Sequence, residues 1–187
     1  MSLGCAFIRD RDNLLSLSKG TGKGYLHPDA HYFREGMDGY KFWLFYTPYP
    51  DESDELPFLM RSNDGKNFTD DGVLNPLLRR GPNGSWEDHH LADVDVVCLD
   101  DTWYMYYCGA RFDERHKHVK IGVAISKNGK TWSKYEGNPI LEPDPNLWWE
   151  AGCDGDWGPF VECPAVVYHD GIFFMLYTAV GRDGKYR

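Results

Sequence analysis

The sequence predicts an all-β fold of the β-propeller type, because strand-like segments recur at a nearly fixed spacing. Residues 100–107 (DDTWYMYY) align without a gap with residues 170–177 (DGIFFMLY), and residues 40–47 (YKFWLFYT) fit the same template after a longer turn. A second block recurs as well, since 62–68 (SNDGKNF) matches 126–132 (SKNGKTW) 64 residues later. Repetition of short strands at a fixed period is typical of radial or linear repeat folds.

Each repeat unit reads as about four short strands joined by tight turns. A hairpin is followed by a connecting strand, an Asn/Asp-Gly turn, a further strand and an Asn-Pro-(Leu/Ile)-Leu stretch at 75–78 and 138–141. Asx-Gly turns between alternating apolar residues are typical of antiparallel hairpins. No long segment has a helical period, so we predict that the chain is all-β.

The repeat divides the chain into a lead-in and three units. Residues 1–24 predict one strand and an irregular link, unit one covers 25–78, unit two covers 91–141, and unit three covers 160–187 and is incomplete. Propellers close with about four to eight blades. About three units therefore predict a fragment of a propeller, or one completed by another segment or chain. An open blade edge would expose unpaired strand groups, so self-association at that edge is expected.

Composition and charge argue against several partners. The net charge of −9 argues against nucleic acid, and no apolar run approaches the roughly 18–20 residues of a membrane span. No N-terminal hydrophobic core resembles a signal peptide. The aromatic content of 16% suits both packed antiparallel strands and sugar-binding clefts.

The cysteines predict free thiols. There are five, at positions 5, 98, 108, 153 and 163, without any Cys-x-x-Cys pair. An odd number without ligand spacing favours buried thiols over disulfides or a zinc site, and weakly favours a reducing, cytoplasmic compartment.

An acidic residue, or a short segment that contains one, stands before the first apolar run of each unit. Asp93 holds this place in unit two, Glu162 in unit three and His27-Pro28-Asp29 in unit one. Two long connections precede the acid-bearing strands, and long loops gathered on one face are where binding residues tend to lie. Strands arranged around an axis would bring these residues into one central acidic pocket.

These segments carry a resemblance to a known superfamily. Residues 162–171 (ECPAVVYHDG) resemble the Glu-Cys-Pro motif of the fructan and sucrose hydrolases, and 93–105 resembles their Arg-Asp-Pro segment, with Ala92 and Val94 in place of the arginine and proline. Over roughly 25–187 the chain resembles the five-bladed β-propeller glycosidases of glycoside hydrolase families 43, 32 and 68. Its Asn-Pro-Ile-Leu stretch also resembles the related mannoside phosphorylases.

The resemblance implies glycosidic cleavage by paired carboxyl groups. Glu162 would be the general acid, with a pKa raised by crowding and burial, and Asp93 would tune it or stabilise the transition state. The families place an aspartate before proline in unit one, where this chain has His27. Three alternatives remain: Asp29 supplies the third catalytic carboxylate, His27 acts as the base, or hydrolysis has been lost.

Other residues are expected to bind the sugar. Side chains alternate along a strand, so Asp95 faces the same way as Asp93 and is either a second catalytic candidate or a hydrogen-bonded structural acid. Tryptophan rings stack on sugars but also fix loops, and both alternatives stand for Trp86 and Trp157. The predicted substrate-binding set is His27, Trp86, His90, Asp95, Asp154 and Trp157.

The predicted function is hydrolysis of a glycosidic bond in an oligo- or polysaccharide. One alternative is a glycan-binding propeller without catalysis, favoured by His27. Another is a phosphorolytic transferase, whose phosphate site would use Arg79, Arg80 and Arg111. No cofactor is expected, apart from the alternative of a structural calcium ion on the propeller axis.

Overall fold

The computed structural model describes residues 16–17, 24–49, 55–113, 117–153 and 157–187. Within these ranges the chain forms strands and turns without a helix, which confirms the all-β prediction. Accordingly, the described residues contain no apolar helix long enough to cross a membrane. The strands are β1 (Ser16–Leu17), β2 (Gly24–Met37), β3 (Tyr40–Tyr49), β4 (Phe58–Ser62), β5 (Asn67–Phe68), β6 (His90–Leu99), β7 (Thr102–Phe112), β8 (Lys117–Ser126), β9 (Trp132–Lys134), β10 (Trp157–His169) and β11 (Ile172–Ala179).

Each unit is built around an antiparallel hairpin. Unit one has the strand order β2-β3-β4, unit two continues through β6, β7, β8 and β9, and unit three has the hairpin β10-β11. A short parallel pairing between β10 and β8 joins units three and two, and β1 pairs in parallel with β5. The hairpin turns match as well, since Asp38, Asp100 and Asp170 have φ of 49°, 51° and 49°.

Two patterns of side-chain hydrogen bonds recur in units one and two, and the first of them involves a serine in a turn. The Ser62 hydroxyl accepts a hydrogen bond from Gly65 N–H at 3.0 Å, and the Ser126 hydroxyl accepts one from Gly129 N–H at 2.9 Å. These bonds close the two Ser-x-Asx-Gly turns, since serine can satisfy a nearby backbone donor.

In units one and two, the asparagine of the Asn-Pro stretch pairs with a residue of β4 or β8. Asn75 accepts from the N–H of Leu59 and donates to its carbonyl, both at 2.9 Å. Asn138 forms the same two bonds with Val123, also at 2.9 Å. Each asparagine side chain therefore replaces one residue of a neighbouring strand, which explains why the two stretches recur.

Both long connections are anchored by a buried glutamate that follows a tryptophan. Glu87, only 7% exposed, accepts from the Tyr107 hydroxyl at 2.9 Å and from Lys134 Nζ at 2.6 Å. Glu150, 2% exposed, accepts from the Tyr177 hydroxyl at 2.5 Å. The two glutamates occupy equivalent positions and fix each loop to the second strand of the following hairpin.

Consecutive units pack face to face. Units one and two share an aromatic core in which Trp43 stacks on Trp103 with ring centroids 5.3 Å apart. Units two and three share a second core that includes Ile121, Phe160 and Val161. Burial of these large side chains supplies most of the attraction between sheets that share few strand pairings.

Candidate active site

The first strand of every unit carries a β-bulge at the same place. The first strand has one residue more than the second strand opposite it between Leu26 and Asp29, between Ala92 and Asp95, and between Glu162 and Ala165. The first residue inside each bulge is His27, Asp93 or Cys163, with φ of 48°, 52° and 51°. Left-handed φ is uncommon for residues with a Cβ, and such strain tends to cluster at functional sites.

The bulges correct one expectation from the sequence. Asp93 and Glu162 were expected to be equivalent, but the strand register makes Cys163 the counterpart of Asp93 and Ala92 the counterpart of Glu162. The difference of one residue matters because neighbouring positions on a strand face opposite ways. Glu162 therefore reaches the site from a position that carries no acid in unit two.

The three bulge residues converge. His27 Nδ1 lies 2.5 Å from Asp93 Oδ1, and Cys163 Sγ lies 3.7 Å from Asp93 Oδ2. The ligand atoms of all three residues are within 4.8 Å of one another. The Asp93 side chain is 11% exposed and that of His27 is 43% exposed, so Asp93 lies beneath a more accessible imidazole.

Asp93 raises the pKa of His27 and that of Glu162 by different routes. The hydrogen bond to Asp93 raises the pKa of His27, against the effect of burial. Burial first, and then the charge of Asp93, raise the pKa of Glu162 to about 7. A carboxyl group in that range can hold a proton at neutral pH, as a general acid must.

Glu55 also belongs to this site, although no sequence pattern pointed to it. Burial and Asp93 raise its pKa, opposed by His27 and Lys117. Its carbonyl oxygen accepts from Leu91 N–H at 2.9 Å, which ties its segment to β6. Glu55 stands in the connection between β3 and β4, outside the segments that align between units, so no spacing could have singled it out.

His90 borders the same site. Its Nδ1 lies 4.0 Å from a Glu55 carboxylate oxygen, and its side chain is 19% exposed. Burial, with a smaller effect of His89, lowers the pKa of His90 to about 4. It is therefore a neutral imidazole at neutral pH, able to donate and accept hydrogen bonds.

Asp29 and Asp95 lie in a different setting from Glu162. Asp29 Oδ2 accepts from Val96 N–H of the next unit at 2.8 Å, and Asp95 Oδ2 accepts in the same way from Val166 N–H at 2.8 Å. His31 lies 3.0 Å from Asp29. These contacts make both aspartates links between consecutive units and favour the structural alternative for Asp95. The catalytic role of Asp29 stays a prediction.

Trp86 also has a packing role. Its indole stacks on Tyr107 with centroids 6.0 Å apart. It lies flat over two glycines, where a Cβ would come within 2.3 Å at Gly109 and 2.9 Å at Gly122. This favours the loop-fixing alternative. Asp154 lies outside the described residues, as does the side chain of Trp157, the first residue of β10.

Comparisons with known proteins give one relative in sequence. No family model matches the chain. The A type blood N-acetyl-alpha-D-galactosamine deacetylase of Flavonifractor plautii is 26% identical over 128 residues, which are 66% of this chain and 16% of the relative.

Solved structures decide the fold. A structure described as a glycoside hydrolase matches with a TM-score of 0.68 at 17% identity, over 90% of this chain and 46% of the other. The structure of a BT0996 RGII complex matches with 0.67 at 18% identity over the same shares. The chain has the fold of the five-bladed β-propeller glycoside hydrolases. It spans about half the length of these structures, and each repeat unit is a blade.

The deacetylase appears again among the structures. The N-acetylgalactosamine deacetylase from F. plautii, in complex with blood group B trisaccharide, matches with a TM-score of 0.58 at 20% identity, over 90% of this chain and 49% of that structure. The chain is thus similar to carbohydrate-active enzymes of two kinds, glycoside hydrolases and a deacetylase.

Proposed function

We propose that the protein is a glycan hydrolase that cleaves a glycosidic bond where the three bulges meet. The observation that carries this proposal is the convergence of Asp93, Glu162, Glu55 and His27 from separate segments on one small, partly buried site. Glycosidic cleavage needs a protonated carboxyl group at the leaving oxygen and a carboxylate near the developing positive charge.

The roles follow from the surroundings of each acid. Glu162 is the general acid, because burial beside Asp93 favours its protonated form. Asp93 provides the carboxylate, oriented by its hydrogen bond with His27. Glu55 is the third acid at the site, in the place that the sequence assigned to Asp29.

The proposed substrate is an oligo- or polysaccharide. Two of the similar structures are described with glycan ligands, RGII and a blood group B trisaccharide, which supports a glycan substrate here. The half-exposed His27 and the neutral His90 offer hydrogen-bonding groups to sugar hydroxyls at the edge of the site.

A second candidate function is removal of the acetyl group from an N-acetylated sugar. It is favoured by the F. plautii deacetylase, which is similar in sequence as well as in structure. Amide hydrolysis needs a base for the attacking water and an acid for the leaving amine, and Glu162 with His27 supplies that pair.

The test is a panel of glycosides and N-acetylated oligosaccharides, followed for new reducing ends and for free acetate. New reducing ends support the glycosidase and free acetate supports the deacetylase. The Glu162→Gln variant is expected to lose activity by roughly 100- to 10,000-fold, as for loss of a general acid. The matched control Glu136→Gln changes an exposed turn residue and should keep full activity.

Three results would contradict the proposal. Full activity in Glu162→Gln would exclude Glu162 as the acid. Glycan binding without any turnover would favour the binding propeller, and turnover that requires inorganic phosphate would favour the phosphorylase.

A further inference from the structure

We propose that His27, Asp93 and Cys163 form a transition-metal site suited to zinc. The three side chains bring one nitrogen, one oxygen and one sulfur donor within 4.8 Å of one another. They come from equivalent bulges of three consecutive blades, so the site depends on the propeller and not on a local motif.

The donor set indicates the class of metal. Imidazole, carboxylate and thiolate together are ligands of Zn²⁺, whereas Ca²⁺ and Mg²⁺ prefer oxygen donors alone. Three protein ligands with a fourth position open to water is the arrangement of catalytic zinc sites. The donors thus fit zinc better than the axial calcium ion considered from the sequence.

The distances require only small side-chain movements. Zinc bonds of about 2.0–2.3 Å at tetrahedral angles put neighbouring donor atoms roughly 3.3–3.8 Å apart. The sulfur and Asp93 Oδ2 are already 3.7 Å apart, whereas His27 Nδ1 and Asp93 Oδ1, hydrogen-bonded at 2.5 Å, would have to separate by about 1 Å. Metal binding would displace the proton shared by this pair and the thiol proton of Cys163, and both would leave to solvent.

The backbone around the ligands is held in place. The N–H of Cys163 donates to Cys108 Sγ at 3.1 Å, and Cys108 is 1% exposed. The left-handed φ of His27, Asp93 and Cys163 belongs to the β-bulges and does not depend on a bound metal. A preformed backbone lowers the ordering cost of binding.

The metal site rests on the position of the proposed active site but on neither proposed reaction. Zinc bound there could activate a water molecule or polarise a carbonyl oxygen. Glu162 is not among the three ligands and remains available to move a proton. Metal binding is measured without substrate, so its failure and the failure of hydrolysis are separate results.

The experiment is a zinc titration of the chelator-treated protein, with metal content measured after gel filtration. We expect one zinc ion per chain. With cobalt, we expect the near-ultraviolet absorption of a thiolate–cobalt bond. Cys163→Ser should abolish that absorption and weaken zinc binding by roughly 100-fold or more, since loss of outer-shell partners alone costs ~10–100-fold.

The matched control is Cys98→Ser, which removes a partly exposed thiol at the opposite end of β6 and should bind zinc as the wild type does. His27→Asn is the second test variant. Its side chain is 43% exposed and asparagine tolerates left-handed φ, so it should fold and still bind zinc weakly. The proposal is overturned if the wild type binds no zinc, if both test variants bind normally, or if Cys98→Ser loses binding.

Discussion

The three bulge residues show how one backbone position can serve different chemistry. His27, Asp93 and Cys163 have nearly the same φ and equivalent places in their hairpins. The fold fixes the backbone position of each residue, and the side chains together make a mixed acidic, imidazole and thiol site. The site is therefore asymmetric although its framework repeats.

His90 predicts a pH-dependent stability. Its pKa falls to about 4 in the folded protein from its ordinary value of 6.5. Between these values the unfolded protein binds a proton that the folded protein does not, so stability is present above pH 6.5 and is lost as pH falls toward 4. The loss amounts to up to about 3 kcal/mol at 1.36 kcal/mol per pKa unit.

Urea unfolding at about pH 4.5 and about pH 7 measures this effect. Glu162 contributes with the opposite sign because its pKa is raised to about 7, so the expected result is that His90→Gln is more stable at pH 4.5, relative to pH 7, than the wild type is. The charged groups around the imidazole are Glu55, Asp93, His89, Lys117 and Arg80. His169→Gln is the control, because His169 is 75% exposed. An unchanged pH dependence in His90→Gln would contradict the prediction.

In β2 and in β6, the aspartate two residues after the bulge residue links its hairpin to the next blade. Asp29 and Asp95 each accept from a backbone N–H of the following blade at 2.8 Å. The third blade has Ala165 at this position. The link thus recurs at both described blade-to-blade junctions. An aspartate stands at the two positions that contact a following blade, which indicates a role in joining blades.

Substitution of Asp95 tests this link. Asp95→Ala leaves the Val166 N–H without its acceptor, and the free energy of unfolding should fall by about 1–3 kcal/mol. Asp95→Asn keeps an acceptor oxygen without a partly buried charge, so it should be at least as stable as the wild type. Thermal or urea unfolding measures both. Equal destabilisation by the two substitutions would contradict the link.

The Asn-Pro stretches predict a matched pair of losses. Asn75→Ala and Asn138→Ala each remove a side chain that pairs with both backbone groups of one strand residue. Each should lower the free energy of unfolding by about 1–3 kcal/mol. Asn83→Ala, at an exposed loop position, should have little effect. A loss in only one of the two units would show that the repeat is not energetically equivalent.

Among the described residues, the sheet of blade three has an apolar face that no other described segment covers. Val166 and Met175 face the second blade, whereas Val167, Phe174 and Leu176 are 63%, 51% and 79% exposed. The equivalent residues of blade two, Tyr104 and Tyr106, contact Phe173 of blade three. By this equivalence, the exposed face of blade three has the character of a blade-to-blade contact.

This face carries the prediction of self-association. The doubly substituted Phe174→Ser, Leu176→Ser variant should stay monomeric at concentrations where the wild type associates, because the apolar contact is removed. Light scattering coupled to gel filtration measures the mass of each. Tyr135→Ser, at another exposed aromatic residue, is the control. A wild type that stays monomeric throughout would contradict self-association.

The sequence was sufficient for the repeat and for the all-β propeller fold. Turn residues, strand alternation and the Asn-Pro stretches are local signals that act within a few residues of one another, so they can be recognised before folding. Glu162 and Asp93 could be selected for a related reason, since each stands directly before or within a recognisable apolar run.

Only the tertiary structure decided which side chains meet. Packing between blades brought Cys163 against Asp93, and it placed the Asp29 carboxylate against a backbone N–H of β6. Glu55 reached the site from an irregular segment, and the His27, Asp93 and Cys163 side chains meet although they come from three separate strands. Bulge register and blade packing are long-range effects, and for that reason local sequence patterns cannot specify them.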